Sequence, residues 1–341
     1  MKVDSNLALS WGEIPKVIRE LELLGYDGVS TSELSHDPFF PLFLAAEHSE
    51  RIELYTSIAV AFARSPANLA SLAHDLNSFS GGRFMLGLGS QIRAHITKRF
   101  SMPFSNKPAR QMRELIQAVR AIWLNWYEGE ALRFEGEYYA HTLMTPAFTP
   151  KDIKFGMPRI ALAAVGPVMT QVAGEVADGI ILHSFTNETF IREVTLPAIE
   201  KGLAKSGRSR KDFEVIYSPF IISGETEEIF EENKKAVREK ISFYGSTPAY
   251  KNVLRVHDWG DLQVELNEMS KRGLWDEMPK LISDEMLNTF AIMDQPENIV
   301  SEIKRRYGDF LDRTDGSFSF VSSDKRLSMV ADLRNSLPER R

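Results

Sequence analysis

Residues 161–183 read ALAAVGPVMTQVAGEVADGIILH, and this stretch narrows the possible folds most. An apolar extended run turns at Gly166-Pro167 into a helical pattern that lasts through Val176. Asp178-Gly179 then leads into Ile180-Ile181-Leu182. Strand, helix and strand at this spacing form the unit of a parallel α/β sheet. The unit also sets a helix start directly after the C-terminal end of a strand. A helix start carries unpaired N–H groups and the positive end of the dipole, so it favours anions, phosphate above all. Pro167 suits the first turn, where a missing N–H costs nothing. Gly166 lets a ligand approach the backbone, and no acidic side chain stands at this start. An anion cradle and an ordinary strand-to-helix turn both satisfy these residues.

The same alternation runs along the chain. Strands are expected at 3–9, 29–32, 52–60, 83–88, 159–164, 180–183, 213–222 and 317–321, most of them separated by single amphipathic helices. Eight such units favour a (β/α)8 TIM barrel over an open doubly wound sheet. A barrel of this kind needs about 250 residues. The rest of the 341-residue chain is expected in insertions after strands four and seven, at 89–157 and 245–295. The first opens as a long loop, 89–106, and contains a small hairpin at 131–140. The second is expected to hold helical pieces without a strand, and a helix at 325–337 closes the chain. No linker or low-complexity tract interrupts 1–341, so a single domain is expected. Asp27-Gly28 and Asp178-Gly179 occupy the same slot, between a helix end and the next strand, on the stability face of a barrel.

Composition restricts the partners. The net charge of -6 argues against nucleic acid. With no cysteine there is no disulfide, thiolate metal site or cysteine nucleophile. The N-terminus lacks a signal-peptide pattern, and no apolar run approaches the roughly 18 residues that span a bilayer. A cytoplasmic protein acting on a small molecule is expected. None of the seven histidines falls in a paired ligand spacing, so no metal site is expected.

Barrel chemistry sits at the C-terminal ends of the strands. Strand two ends in Glu33, His36 and Asp37, a possible acid/base group. Asp37 also reads as the cap of the helix that starts at Pro38. Gly87-Leu88-Gly89-Ser90-Gln91 begins like a dinucleotide fingerprint but lacks the third glycine. His95 follows in the loop over the mouth. Trp123, Trp126 and Tyr127 stand at helical spacing and read as core.

GGRFMLGLGSQIRAH (81–95), AAVGPVMTQVAGEVADG (163–179), LYTSIAVAFARSP (54–66) and TSELSHDPFFPLFLAAEHSERIEL (31–54) together resemble the luciferase-like oxidoreductases. More narrowly, they resemble the branch that uses the deazaflavin coenzyme F420. The resemblance implies a (β/α)8 barrel with the cofactor at its C-terminal mouth and the cofactor phosphate at Ala164, Val165, Gly166, Pro167 and Met169, with Gly174 nearby. It implies a non-proline cis peptide within 57–60, at Ser57–Ile58, pressing with Ala59 on the ring. Glu33 takes the place of the family's strand-two acid. Gln91 and His95 lie beside the ring. Ile92 and Leu34 stand where sugar-phosphate dehydrogenases of this branch carry a glutamate and a histidine, so any acid/base must come from Glu33, His36 or His95. A homodimer is common in the family. The implied activity is hydride transfer between F420 and a small organic substrate. The alternatives are an FMN-dependent monooxygenase and a non-catalytic ligand-binding barrel.

Overall fold

The computed structural model describes residues 1–7 and 10–335. Its strands are short runs buried on both faces, as a parallel sheet requires when helices cover it. Eight close into a barrel: β1 (Lys2–Asn6), β2 (Gly28–Thr31), β3 (Glu53–Thr56), β4 (Phe84–Gly89), β5 (Arg159–Ala164), β6 (Gly179–Leu182), β7 (Glu214–Tyr217) and β8 (Arg313–Asp315). Each pairs in parallel with its neighbours in sequence, and β8 returns to β1 through Lys2↔Arg313 and Val3↔Thr314. Tyr55, Met85, Ala161, Ile181 and Ile216 fill the barrel interior. The larger core lies between the strands and the surrounding helices. No helix among the described residues is long and apolar enough to cross a membrane.

The repeated aspartate slot has one physical job. Asp27 Oδ2 accepts the Val3 N–H at 2.8 Å, and Asp178 Oδ2 accepts the Ile160 N–H at 2.8 Å. Each carboxylate satisfies a strand-entry amide of the barrel. Asp312 does the same for Val215 N–H at 2.8 Å, a third instance that lacks the Asp-Gly signature.

Several elements depart from the sequence pattern. The eighth strand is 313–315, not 317–321. Its sequence is Arg-Thr-Asp, which no hydrophobic pattern reveals, yet Arg313 is fully buried. Phe318, Phe320 and Val321 are buried as a strand would be, but Phe318 has φ 35° and the segment joins no ladder. The expected strand 213–222 breaks at Ser218-Pro219, where proline cannot donate to a ladder. Its second half, Phe220–Ile222, pairs in parallel with Ala291–Met293, a strand inside the region expected to be helical only. These two short strands and the helices between them, with Phe185 and Phe190, surround a second apolar core. In the first insertion the expected loop contains a helix, Arg93–Lys98. The hairpin is present as Phe134–Glu135 against Ala140–His141. Residues 8–9 and 336–337 of the expected terminal strand and helix lie outside the described residues.

Candidate functional site

The mouth of the barrel is organised around the exit of β3. The Ser57–Ile58 peptide is cis and non-proline. The end of β2 grips it from one side. Ser57 N–H donates to Thr31 O at 2.7 Å, Ser32 Oγ–H donates to Ser57 O at 2.8 Å, and Glu33 N–H donates to Ile58 O at 3.2 Å. Glu33 itself is buried. Its Oε2 accepts the Val60 N–H at 2.7 Å and Arg64 Nη1 at 2.6 Å, while Arg64 Nη2 reaches Asp37 Oδ2 at 2.9 Å. Asp37 Oδ1 also accepts the Phe39 N–H at 2.9 Å, which is the capping bond read from the sequence.

The glycines of β4 have a steric reason. A Cβ on Gly87 would lie 1.7 Å from Thr56 O, and one on Gly89 would lie 2.7 Å from Ile58 Cδ1. Gly87-Leu88-Gly89 therefore clears room for the β3 exit, which explains a glycine pair without a nucleotide fingerprint. Ser57 and Ile58 remain partly accessible at the mouth, whereas Ala59 is fully buried.

The second part of the site lies two strands away. Ala59 pairs with Leu88 and Leu88 with Leu162, so Ala59 and Leu162 lie level about 10 Å apart at two strand spacings, and the turn after β5 opens on the same mouth a few residues beyond Leu162. Gly166 precedes the helix Pro167–Val176, which has no side-chain cap and no acid in its first turn. A Cβ on Gly166 would meet nothing within 4 Å. The hydroxyl of Thr170, one turn into the helix, is fully buried without a hydrogen-bond partner among the described residues. Ala164 is buried, and Val165 and Met169 are partly accessible. These residues fit a phosphorylated cofactor: an open approach, free amides and an unused donor. Gly174 lies elsewhere, buried between two helices, where a Cβ would be 2.6 Å from Ile199 O. Its lack of a side chain serves helix packing, not the mouth.

The rim carries the remaining candidates. Gln91 has φ 58°, and its Oε1 accepts the Ile92 N–H at 2.9 Å. His95 is exposed on the short helix, and His36 is exposed with its ring edge-on to Trp11 at 6.3 Å. Neither histidine makes a side-chain hydrogen bond among the described residues. Arg99 Nη2 donates to Leu34 O at 2.5 Å and ties the short helix to the loop after β2. Leu34 and Ile92 are both exposed there. Two residues escaped the sequence reading. Arg64 had no spacing that linked it to Glu33. His183 ends the sixth strand in the sequence pattern, but nothing in that pattern gave it a role. Its signal was its place directly after an apolar strand. Burial pushes this imidazole down to about 4.

Eight parallel strands closed on themselves with helices outside make the chain a (β/α)8 barrel. A family model described as luciferase-like monooxygenase matches residues 2–313, and the chain belongs to that family. An uncharacterised protein of Mycobacterium tuberculosis is 46% identical over 334 residues, covering 98% of each chain. The 5,10-methylenetetrahydromethanopterin reductase of Archaeoglobus fulgidus is 28% identical over 77% of this chain and 75% of its own. Among solved structures, the coenzyme F420 dependent tetrahydromethanopterin reductase from Methanopyrus kandleri superposes with a TM-score of 0.74 at 21% identity, over 97% of this chain and 96% of that one.

Proposed function

We propose that the chain is an F420-dependent oxidoreductase that moves a hydride between the deazaflavin and a small organic substrate. The observation that carries this is the pairing of the open, acid-free turn at Gly166 with the accessible Ser57–Ile58 peptide, two strands apart on one mouth. When bound, the coenzyme supplies the hydride-carrying carbon. The protein's part is to hold the phosphate on the amides of Val168 and Met169 and to seat the ring on Ile58. Glu33 is a positioning residue, since its carboxylate already serves Val60 and Arg64. His36 and His95 stand exposed on the rim as the remaining acid/base candidates.

Charge supports an anionic cofactor. From Phe84 to Arg113 the chain carries six cations and no carboxylate, in a protein of net charge -6. Arg93, Lys98, Arg99 and Lys107 make no ion pair among the described residues. Fluorescence titration of the purified protein with F420 and with FMN tests the assignment. Tighter binding of FMN would transfer the site to the flavin-dependent branch.

We further propose a homodimer. Phe40, Phe43, Leu72 and Phe79 are exposed on the adjacent helices Phe39–Glu47 and Pro66–Phe79, with Phe43 and Phe79 stacked at 4.1 Å. An apolar face of this kind is typical of a surface that another chain covers.

A further inference from the structure

At the exit of β6 several hydrogen-bond donors stand without acceptors. His183 Nδ1 accepts the Phe185 N–H at 2.9 Å, so in the neutral ring Nε2 carries the proton. That Nε2–H has no partner among the described residues. Thr186 is 5% exposed, and its hydroxyl also has none. Tyr244 and Tyr250, half-buried on the second core, make no hydrogen bond through their hydroxyls among the described residues. Buried donors are normally paired, and leaving them unpaired carries a desolvation cost. Of these only the Thr186 hydroxyl is buried outright; His183, Tyr244 and Tyr250 stand partly exposed beside it, and together they present donors to an acceptor that arrives from outside.

The walls describe that acceptor. The His183 ring lies edge-on to Tyr244 at 4.6 Å and tilted to Tyr250 at 5.0 Å. Phe185 stacks on Phe290 behind them at 4.8 Å. Aromatic faces and edges receive a flat molecule. No hydrogen bond or ion pair among the described residues brings a charged side chain to the His183, Tyr244 and Tyr250 rings. Burial alone shifts His183 and Tyr244, and burial with Tyr244 shifts Tyr250. An anion brought here would lose its hydration without gaining a cation. A cavity of about 10 Å³ lined by Ala164, Val165, His183 and Thr186 joins this cluster to the turn after β5. The cluster therefore borders the proposed cofactor site.

We infer that His183, Thr186, Tyr244 and Tyr250 form a substrate pocket for a neutral, planar carbonyl compound, such as a quinone or enone. The carbonyl oxygen takes the imidazole and hydroxyl donors, and the ring lies among the aromatics. Phosphorylated and carboxylated substrates are excluded. The inference rests on the oxidoreductase reading for the step that follows binding, but the pocket's chemistry stands on its own residues.

The test uses full-length protein with ¹⁵N-labelled histidine, loaded with F420, and follows the His183 ring signal, assigned by its loss in His183→Phe. Between pH 5 and 8 the signal should keep the neutral Nε2–H form. Menadione, a neutral quinone, should shift it saturably, and glucose 6-phosphate should leave it in place. Thr186→Val has the same shape and breaks no bond, so it should melt no lower than the parent while weakening menadione about 3- to 10-fold, one neutral hydrogen bond. An unmoved His183 signal with menadione, or a shift caused by glucose 6-phosphate, would overturn the pocket. Cofactor fluorescence in the same samples separates the two readings. F420 binding without a menadione shift removes only the pocket. A menadione shift without F420 binding removes the coenzyme assignment and leaves the pocket. Failure of both removes both.

Discussion

Glu33 illustrates how a residue's type and its work can differ. The resemblance pointed to an acid at this position, and the structure has Glu33 there. What it does is legible only from its partners: Val60 N–H and Arg64 share Oε2. Glu33→Ala leaves the Val60 amide unpaired and Arg64 with only Asp37 and the Val60 carbonyl. We expect a loss of about 2–3 kcal/mol in urea unfolding, together with weaker F420 binding as the β3 exit loosens. Unchanged stability would return Glu33 to the role of a free acid. Glu33→Gln keeps an acceptor for one donor and should fall between. Arg64 was illegible because the Glu33–Arg64 contact joins two strand exits, and no periodicity links them. His183 was illegible for a related reason: one histidine has no spacing, and its tautomer is set by a backbone amide two residues on.

At the scale of elements, hydrophobic alternation found seven of the barrel strands near their places, because each carries an apolar run between turn residues. It missed β8, whose three residues are polar and whose arginine is buried among carboxylates. It chose 317–321 instead, because burial without a ladder looks the same in sequence. The glycines of the mouth divide into two kinds that sequence could not separate. Gly87 is steric, since its missing Cβ would strike Thr56 O at 1.7 Å. Gly87→Ala should therefore fail to give a folded barrel, or melt with a loss above about 4 kcal/mol, the range of severe overpacking and strain. Gly166 has φ -75°, which any residue adopts, and open space before it. Gly166→Ala should keep or slightly raise the stability, by up to about 1 kcal/mol through the unfolded chain. The same substitution should weaken cofactor binding by intruding on the approach to the turn. Normal affinity in Gly166→Ala would remove the cradle while leaving the fold untouched.

The whole molecule is held shut at the face opposite the mouth. Glu53 on β3 meets Lys2 of β1 at 2.6 Å, Arg159 of β5 at 3.0 Å and Arg313 of β8 at 2.5 Å. Burial alone would raise its pKa, but Arg313, Lys2 and Arg159 outweigh burial and hold it at about 2 against an ordinary 4.5. A carboxylate depressed in the folded state stabilises fully above the unfolded value and progressively less below it. Stability should thus fall as pH drops from 4.5 toward 2. Glu53→Gln should flatten that limb of the curve and lower stability at pH 7 by about 2 kcal/mol. An acid limb of the same slope in the variant would assign the loss to other carboxylates. The outer surface makes the remaining prediction. Phe40, Phe43, Leu72 and Phe79 form an apolar face on two helices that both follow barrel strands, away from the second core and its proposed pocket. A stable interface hides about 800 Å² per partner, with large apolar side chains near its centre. Sedimentation of the parent protein should give twice the chain mass. Phe40→Glu/Phe43→Glu places four charges across a two-fold contact and should give a single chain. Both positions are exposed, so the fold should persist, read by an unchanged melting transition apart from any concentration-dependent part. A parent protein that sediments as one chain at tens of micromolar would show that this face meets something other than its own copy.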